Sequence, residues 1–95
     1  MNRDELMSAV NNLAIRTNAD VGDAQWYLFG SAQQGLASAS DIDLVVVCRT
    51  HGVADAIRQA VDVDQLRRPI HLSILTKAEQ AELSFLEKQG CVQVL

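Results

Sequence analysis

Two aspartates and a Gly-Ser pair are the residues of this chain whose types and spacing suggest chemistry. Gly30-Ser31 follows a short apolar run, and Asp41 and Asp43 lie one residue apart at the start of the most apolar run in the chain. Alternate side chains of a strand share a face, so the two carboxylates would lie roughly 6–7 Å apart along the backbone. Like charges this close repel each other, and a cation between them offsets that repulsion. The spacing therefore predicts a metal platform.

Magnesium and a phosphate chain are the expected ligands of this platform. Mg²⁺ prefers oxygen ligands and commonly binds one or two carboxylates together with phosphate oxygens. Gly30 allows close approach of the backbone, and the N–H groups of a short helix starting near Ser31 would face the phosphates. Ser40 is expected to brace the loop. Two plainer interpretations stay open, in which Ser31 is an N-cap and the aspartates only mark the start of a strand.

Composition limits the classes of protein to which the chain can belong. The chain has 95 residues, of which 48% are apolar and 21% are charged, and its net charge is −4. This size and composition suit a single domain over residues 1–95. The basic residues are dispersed, so no nucleic-acid footprint is predicted. We expect no signal peptide and no membrane span, because the longest apolar run is far shorter than ~20 residues. Cys48 and Cys91 are expected to be buried free thiols in a reducing cytoplasm.

The hydrophobic pattern predicts the element order α-β-β-α-β-α-β. Apolar residues recur at helical spacing in the helices, and strands are marked by β-branched or alternating runs. A second Asp-x-Asp pair, Asp62 and Asp64, has no Gly-Ser partner and is predicted to be solvated turn residues. The predicted elements are a helix from Asp4 to about Asn18, a turn at 18–23, strands Gln25 to Phe29 and Asp41 to Cys48, the latter central, a helix from about Gly52 to Leu66 with Thr50 as N-cap, a strand Pro69 to Leu75, a helix from the capping box at Thr76 to Gly90, and a short edge strand within Cys91 to Leu95.

The motif spacing resembles that of a known superfamily. A strand ending in Gly30-Ser31, about ten residues, and then Ser40-Asp41-Ile42-Asp43-Leu44 is similar to the signature of the DNA polymerase β-like nucleotidyltransferases, in particular the minimal nucleotidyltransferases. The resemblance covers essentially the whole chain. It implies an α/β (α+β) fold with a small mixed sheet flanked by helices. It also implies that Gly30 and Ser31 bind nucleotide phosphates and that Asp41 and Asp43 ligate Mg²⁺.

The sequence departs from this family in two regions. The family's third carboxylate lies in the next core strand, where this chain has His71, or Ser73 if the register is shifted by two residues. Neutral His71 would serve as a base near pH 7, but its nitrogen suits Mg²⁺ poorly. Gln33 and Gln34 stand in the loop where relatives often carry a basic residue. The absence of that positive charge should weaken phosphate binding.

Three functions remain under consideration from the sequence. The first is a Mg²⁺-dependent transfer of a nucleoside monophosphate, most simply from ATP, to a hydroxyl acceptor. The resemblance implies that a small helical partner of the HEPN type, as in toxin–antitoxin pairs, supplies this acceptor. The second is a catalytically degenerate domain that neutralises a partner or senses nucleotide, and the third is an ordinary α/β domain. An edge strand within Cys91 to Leu95 would also permit a homodimer.

Overall fold

The fold is an α+β arrangement in which a four-stranded sheet carries helices. A computed structural model describes residues 3–30, 42–62, 64–65 and 69–95. The elements are α1 (Arg3–Val21), β1 (Gln25–Phe29), β2 (Ile42–Cys48), α2 (His51–Ala60), β3 (Ile70–Thr76), α3 (Lys77–Leu83), α4 (Phe85–Gln89) and β4 (Val92–Gln93).

The sheet is mixed, and its strand order is β3-β2-β1-β4. β1 pairs antiparallel with both β2 and β4, whereas β2 and β3 are parallel. β1 has the predicted bounds, β3 is shifted by one residue from its prediction, and β4 is the expected short edge strand. No helix in the described residues is long and apolar enough to cross a membrane.

The core lies between one face of the sheet and the helices α1 and α2. The apolar stripe predicted for α1 is buried there and packs with Trp26 and Leu28 of β1. Even-numbered residues of β2, such as Leu44 and Val46, face the same core. Val45 of β2 points to the opposite face and is fully buried as well. The prediction that β2 is a central strand covered on both faces is therefore confirmed.

The first helix is longer than its apolar pattern predicts. The turn predicted at 18–23 is wrong in its first part, because α1 continues to Val21 and ends at Gly22, whose φ is +102°. Asn18 stays helical while its side chain links two elements: Oδ1 accepts from Nε1 of Trp26 at 2.9 Å, and Nδ2 donates to the carbonyl of Ala24 at 3.0 Å. A turn-forming residue is thus used for a tertiary contact.

The second helix is shorter than predicted. Thr50 caps it as expected, accepting from the N–H of Val53, but α2 ends at Ala60 and not near residue 66. Val61 has extended backbone (φ −67°, ψ 130°), and the Asp62 carboxylate then accepts from the N–H of Asp64 at 3.1 Å. Short acidic side chains compete with the helix for backbone N–H groups in this way. Asp62 and Asp64 are exposed, which agrees with their predicted role as turn residues.

The third predicted helix is two helices, so the order of the elements in the described residues is α-β-β-α-β-α-α-β. Its start is as predicted, because Thr76 and Glu79 form both hydrogen bonds of a capping box. Ser84 interrupts it in the left-handed region (φ 51°). The Gln80 side chain holds this bend by accepting from the N–H of Leu86 at 3.1 Å. Gly90 ends α4 in the left-handed region, as predicted for a C-terminal glycine.

The two cysteines are both free thiols, but only one is buried. Cys48 is buried in β2, and Cys91 is half-buried, so the prediction of two buried thiols is wrong for Cys91. Burial raises the pKa of both thiols.

Candidate functional site

Asp43 and His71 lie side by side on two neighbouring parallel strands. They are paired in the register of β2 and β3. Nδ1 of His71 is 3.3 Å from Oδ1 of Asp43, and the side chains are 66% and 26% exposed, respectively. A carboxylate and an imidazole therefore meet on a sheet surface that solvent and ligands reach.

Strand alternation explains why these polar side chains are available. Ile42 and Leu44, the neighbours of Asp43, are buried on the core face. Ile70 and Leu72, the neighbours of His71, also pack against the core. Because successive strand residues point to opposite faces, the polar residue between each apolar pair is placed on the other side of the sheet.

Gly30 brings the end of β1 against the Asp43 carboxylate. Its φ is +75°, and a Cβ added there would lie 2.5 Å from Oδ2 of Asp43. A real Cβ does not approach an oxygen this closely, so any other residue would force the carboxylate to move. Asp43 is thus held between Gly30 at one oxygen and His71 at the other. The expectation that the Gly30 backbone closely approaches a bound ligand stays a prediction.

Two phenylalanines lie on the β1 side of Asp43. Phe29 is the residue paired with Asp43 across the β1–β2 ladder. Its ring meets that of Phe85 in α4 edge to face, with centroids 5.3 Å apart and planes at 89°. Sequence reasoning missed this neighbour of the site. The signal was weak, since only the proximity of Phe29 to Gly30 pointed to it.

Several predicted site residues lie outside the described part of the chain. These are Ser31, Gln33, Gln34, Ser40 and Asp41, so the Asp41–Asp43 pair stays a prediction. Ser73 is described, and it pairs with Val45, two positions from Asp43. The residue beside Asp43 is therefore His71 and not Ser73.

The described donors fit a metal ion only in part. No group of three metal-ligating side chains converges among the residues that the structure describes. Asp43 offers the oxygen donors that a hard cation prefers, whereas an imidazole nitrogen suits softer divalent metals better than Mg²⁺. Mg²⁺ binding would therefore depend on Asp43 together with oxygen donors outside the described residues, of which Asp41 is the candidate.

Comparison with known proteins shows the family of the chain. The family model described as "Nucleotidyltransferase domain" matches residues 12–91, which include Gly30, Asp43 and His71. The chain therefore belongs to the nucleotidyltransferase domain family, and its mixed sheet flanked by helices is consistent with that fold. Membership supports nucleotidyl transfer from a nucleoside triphosphate as the general activity. A search of curated proteins finds no match.

Proposed function

We propose that this chain is a Mg²⁺-dependent nucleotidyltransferase that moves a nucleoside monophosphate from ATP to a hydroxyl group. The observation that carries the proposal is the contact of Asp43 with both Gly30 and His71. This contact brings three groups together at one end of β1. Gly30 permits close approach of the backbone, Asp43 is an oxygen donor for a cation, and His71 supplies a titratable nitrogen. The proposed transfer would use them for phosphate binding, cation binding and proton transfer, respectively.

The proposed roles follow from the chemistry of each group. Backbone N–H groups near Gly30 and Ser31 would bind the triphosphate, and Ser40 would brace that loop. Asp41 and Asp43 would hold Mg²⁺, which when bound supplies charge neutralisation for the phosphates. Binding and orientation by fixed groups provide most of the acceleration in phosphoryl transfer.

His71 is proposed as the base of the reaction. The acceptor hydroxyl oxygen forms a bond to the α-phosphorus, and the bond from that phosphorus to the bridging oxygen breaks. Pyrophosphate leaves with the electron pair, and the hydroxyl proton passes to the imidazole of His71. Asp43, 3.3 Å from Nδ1, would orient the ring for this step.

The acceptor is proposed to come from another protein. The described residues form one small sheet with its helices, and the exposed His71 would meet an acceptor that approaches from outside this sheet. The spacing of Gly30-Ser31 and Asp41-x-Asp43 resembles that of the minimal type of nucleotidyltransferase, which would modify a small helical HEPN-type partner as in a toxin–antitoxin pair. The cytoplasm, where ATP is plentiful, is the proposed location.

A second candidate function is supported by one specific observation. The position next to Asp43 is an imidazole and not a third carboxylate. A domain with this site would bind nucleotide or a partner without turnover, because its oxygen donors would be too few for a second cation.

Label transfer separates the two candidates. The purified protein is incubated with Mg²⁺, ATP labelled in the α-phosphate and a purified HEPN-type protein as the acceptor. The proposal predicts α-label on the partner and free pyrophosphate, with neither product from the Asp43→Asn variant. A partner that binds while all label stays in ATP would contradict transfer and favour the binding module. ATP labelled in the γ-phosphate is the control, since it should leave no label on protein.

A further inference from the structure

Within the part of the chain that the structure describes, β3 is a long edge strand without the usual protection against pairing. In the described sheet it has β2 on one side only, and the opposite edge, β4, is just two residues long. The seven residues of β3, IHLSILT, include no Asp, Glu, Lys, Arg or Pro. Natural edge strands normally carry such residues or stay short, because an unpaired edge is a template for another strand.

The backbone groups on the outer edge of β3 can be identified from the register. The N–H of Ile42 donates to the carbonyl of Pro69 at 2.9 Å, and Ile42 is paired with Ile70. In a parallel ladder, the peptide groups of alternate residues face opposite sides. The odd-numbered residues of β3 therefore bond to β2. The residues whose peptide groups face outward are Ile70, Leu72 and Ile74.

The capping box sets the end of this free edge. Thr76 is the next residue whose N–H would face outward, but that N–H donates to the Glu79 carboxylate at 2.9 Å. Three residues of β3 with outward-facing peptide groups remain, and Leu72 lies midway between the other two. Such an edge matches itself when a second copy runs antiparallel to it.

We propose that two copies of this chain pair through their β3 edges, antiparallel, about a two-fold axis at Leu72. Ile70 of each copy would exchange both peptide hydrogen bonds with Ile74 of the partner subunit, and the two Leu72 residues would do so with each other. The contact is isologous, as in most homodimers. This inference does not depend on the proposed function.

Side-chain chemistry favours a second copy over an unrelated strand. In this register His71 lies opposite Ser73 of the partner subunit, in a non-hydrogen-bonded pair with Cα atoms about 4.5 Å apart. Imidazole and hydroxyl are complementary hydrogen-bonding groups, and the symmetry makes this pair twice. No like charges meet, since β3 contains no acidic residue, lysine or arginine. The dimer would thereby add a hydroxyl beside the Asp43–His71 pair.

Sedimentation velocity over a dilution series up to about 0.5 mM tests the dimer, because interfaces below about 1,200 Å² are weak. The wild-type chain should shift from monomer to dimer as concentration rises. Ser73→Lys, which places an ammonium group on this edge, should stay monomeric. Gln93→Lys puts the same charge on the other edge strand and should dimerise as the wild type does. A wild type that is monomeric throughout, or a folded Ser73→Lys chain that still dimerises, would overturn the proposal.

Amide hydrogen exchange of the wild type gives an answer that does not depend on the folding of any variant. The N–H groups of Ile70, Leu72 and Ile74 should exchange more slowly in the concentrated sample than in the dilute one. A dimer in which these three amides exchange equally fast at both concentrations would use another surface, and the proposal would be wrong.

Discussion

His71 lies beside Asp43, with Nδ1 3.3 Å from Oδ1, at paired positions of two parallel strands. In the family that this sequence resembles, the corresponding position carries a third carboxylate. The chain therefore places a nitrogen donor where an oxygen donor is expected. Under the proposed function, this one side chain would influence which metal binds, where the acceptor proton goes and whether the domain is an enzyme or a binding module.

Replacement of His71 by aspartate should strengthen Mg²⁺ binding. The new carboxylate would add oxygen donors beside Asp43, and we expect Mg²⁺ affinity in the presence of ATP to rise by about tenfold. Calorimetry of Mg²⁺ binding measures this. His71→Ala is the matched control, because it removes the imidazole without adding oxygen. An equal gain in both variants would show that the imidazole only obstructs the site.

Replacement of Gly30 by alanine should damage the site more than the fold. A residue with a Cβ costs about 1–2 kcal/mol at positive φ, so Gly30→Ala and Gly90→Ala should both lower the free energy of unfolding. Only at Gly30 would the Cβ displace Asp43, since a Cβ at Gly90 meets nothing within 4 Å. Weaker binding of Mg²⁺ and ATP is therefore expected for Gly30→Ala alone. Unchanged binding in that variant would contradict the close approach to Asp43.

Replacement of Asn18 by alanine should destabilise the fold by about 1–3 kcal/mol, because a buried N–H then loses its acceptor. That N–H belongs to Trp26, which is fully buried and donates to Asn18 at 2.9 Å. Urea unfolding, followed by the fluorescence of this single tryptophan, measures the change. Asn12→Ala, at an exposed position of α1, should have little effect. Equal stability of both variants would show that the hydrogen bond contributes nothing.

The capping box should make stability depend on pH in acid. The hydrogen bond from the Thr76 N–H lowers the pKa of Glu79 below its ordinary value of 4.5. The unfolded chain therefore takes up this proton at higher pH than the folded chain does. The stabilisation is present above pH 4.5 and is lost as pH falls through the lowered pKa of the folded state.

Urea unfolding at several acidic pH values tests this linkage. Glu79→Gln should reduce the slope of the free energy of unfolding against pH below 4.5. Glu82→Gln, on the same helix but outside the capping box, should keep more of that slope. Identical slopes in the two variants would contradict the assignment to the cap.

The sequence predicts the framework of the site because that framework depends on local patterns. Strand alternation places Asp43 and His71 on the face opposite the core, and the apolar runs on either side fix the two strands. The capping box likewise follows from a local pattern, because Thr76 and Glu79 are only three positions apart.

The parts that sequence reasoning missed depend on contacts between different elements. Asn18 stays within α1, and its side chain bonds to Trp26 of β1. The position of Gly30 against the Asp43 carboxylate depends on the β1–β2 register, which pairs Phe29 with Asp43. The bend at Ser84 has a similar origin, because a side chain from the preceding helix holds it. Periodicity within one segment carries no information about such contacts.

The central claim is that Asp43 belongs to a metal and nucleotide site, and calorimetric titration with ATP tests it most directly. We predict that ATP binds in the presence of Mg²⁺, that omission of Mg²⁺ removes the heat, and that Asp43→Asn removes it as well. Binding that is unchanged by Asp43→Asn, or no heat at millimolar ATP with folded protein, would contradict the account.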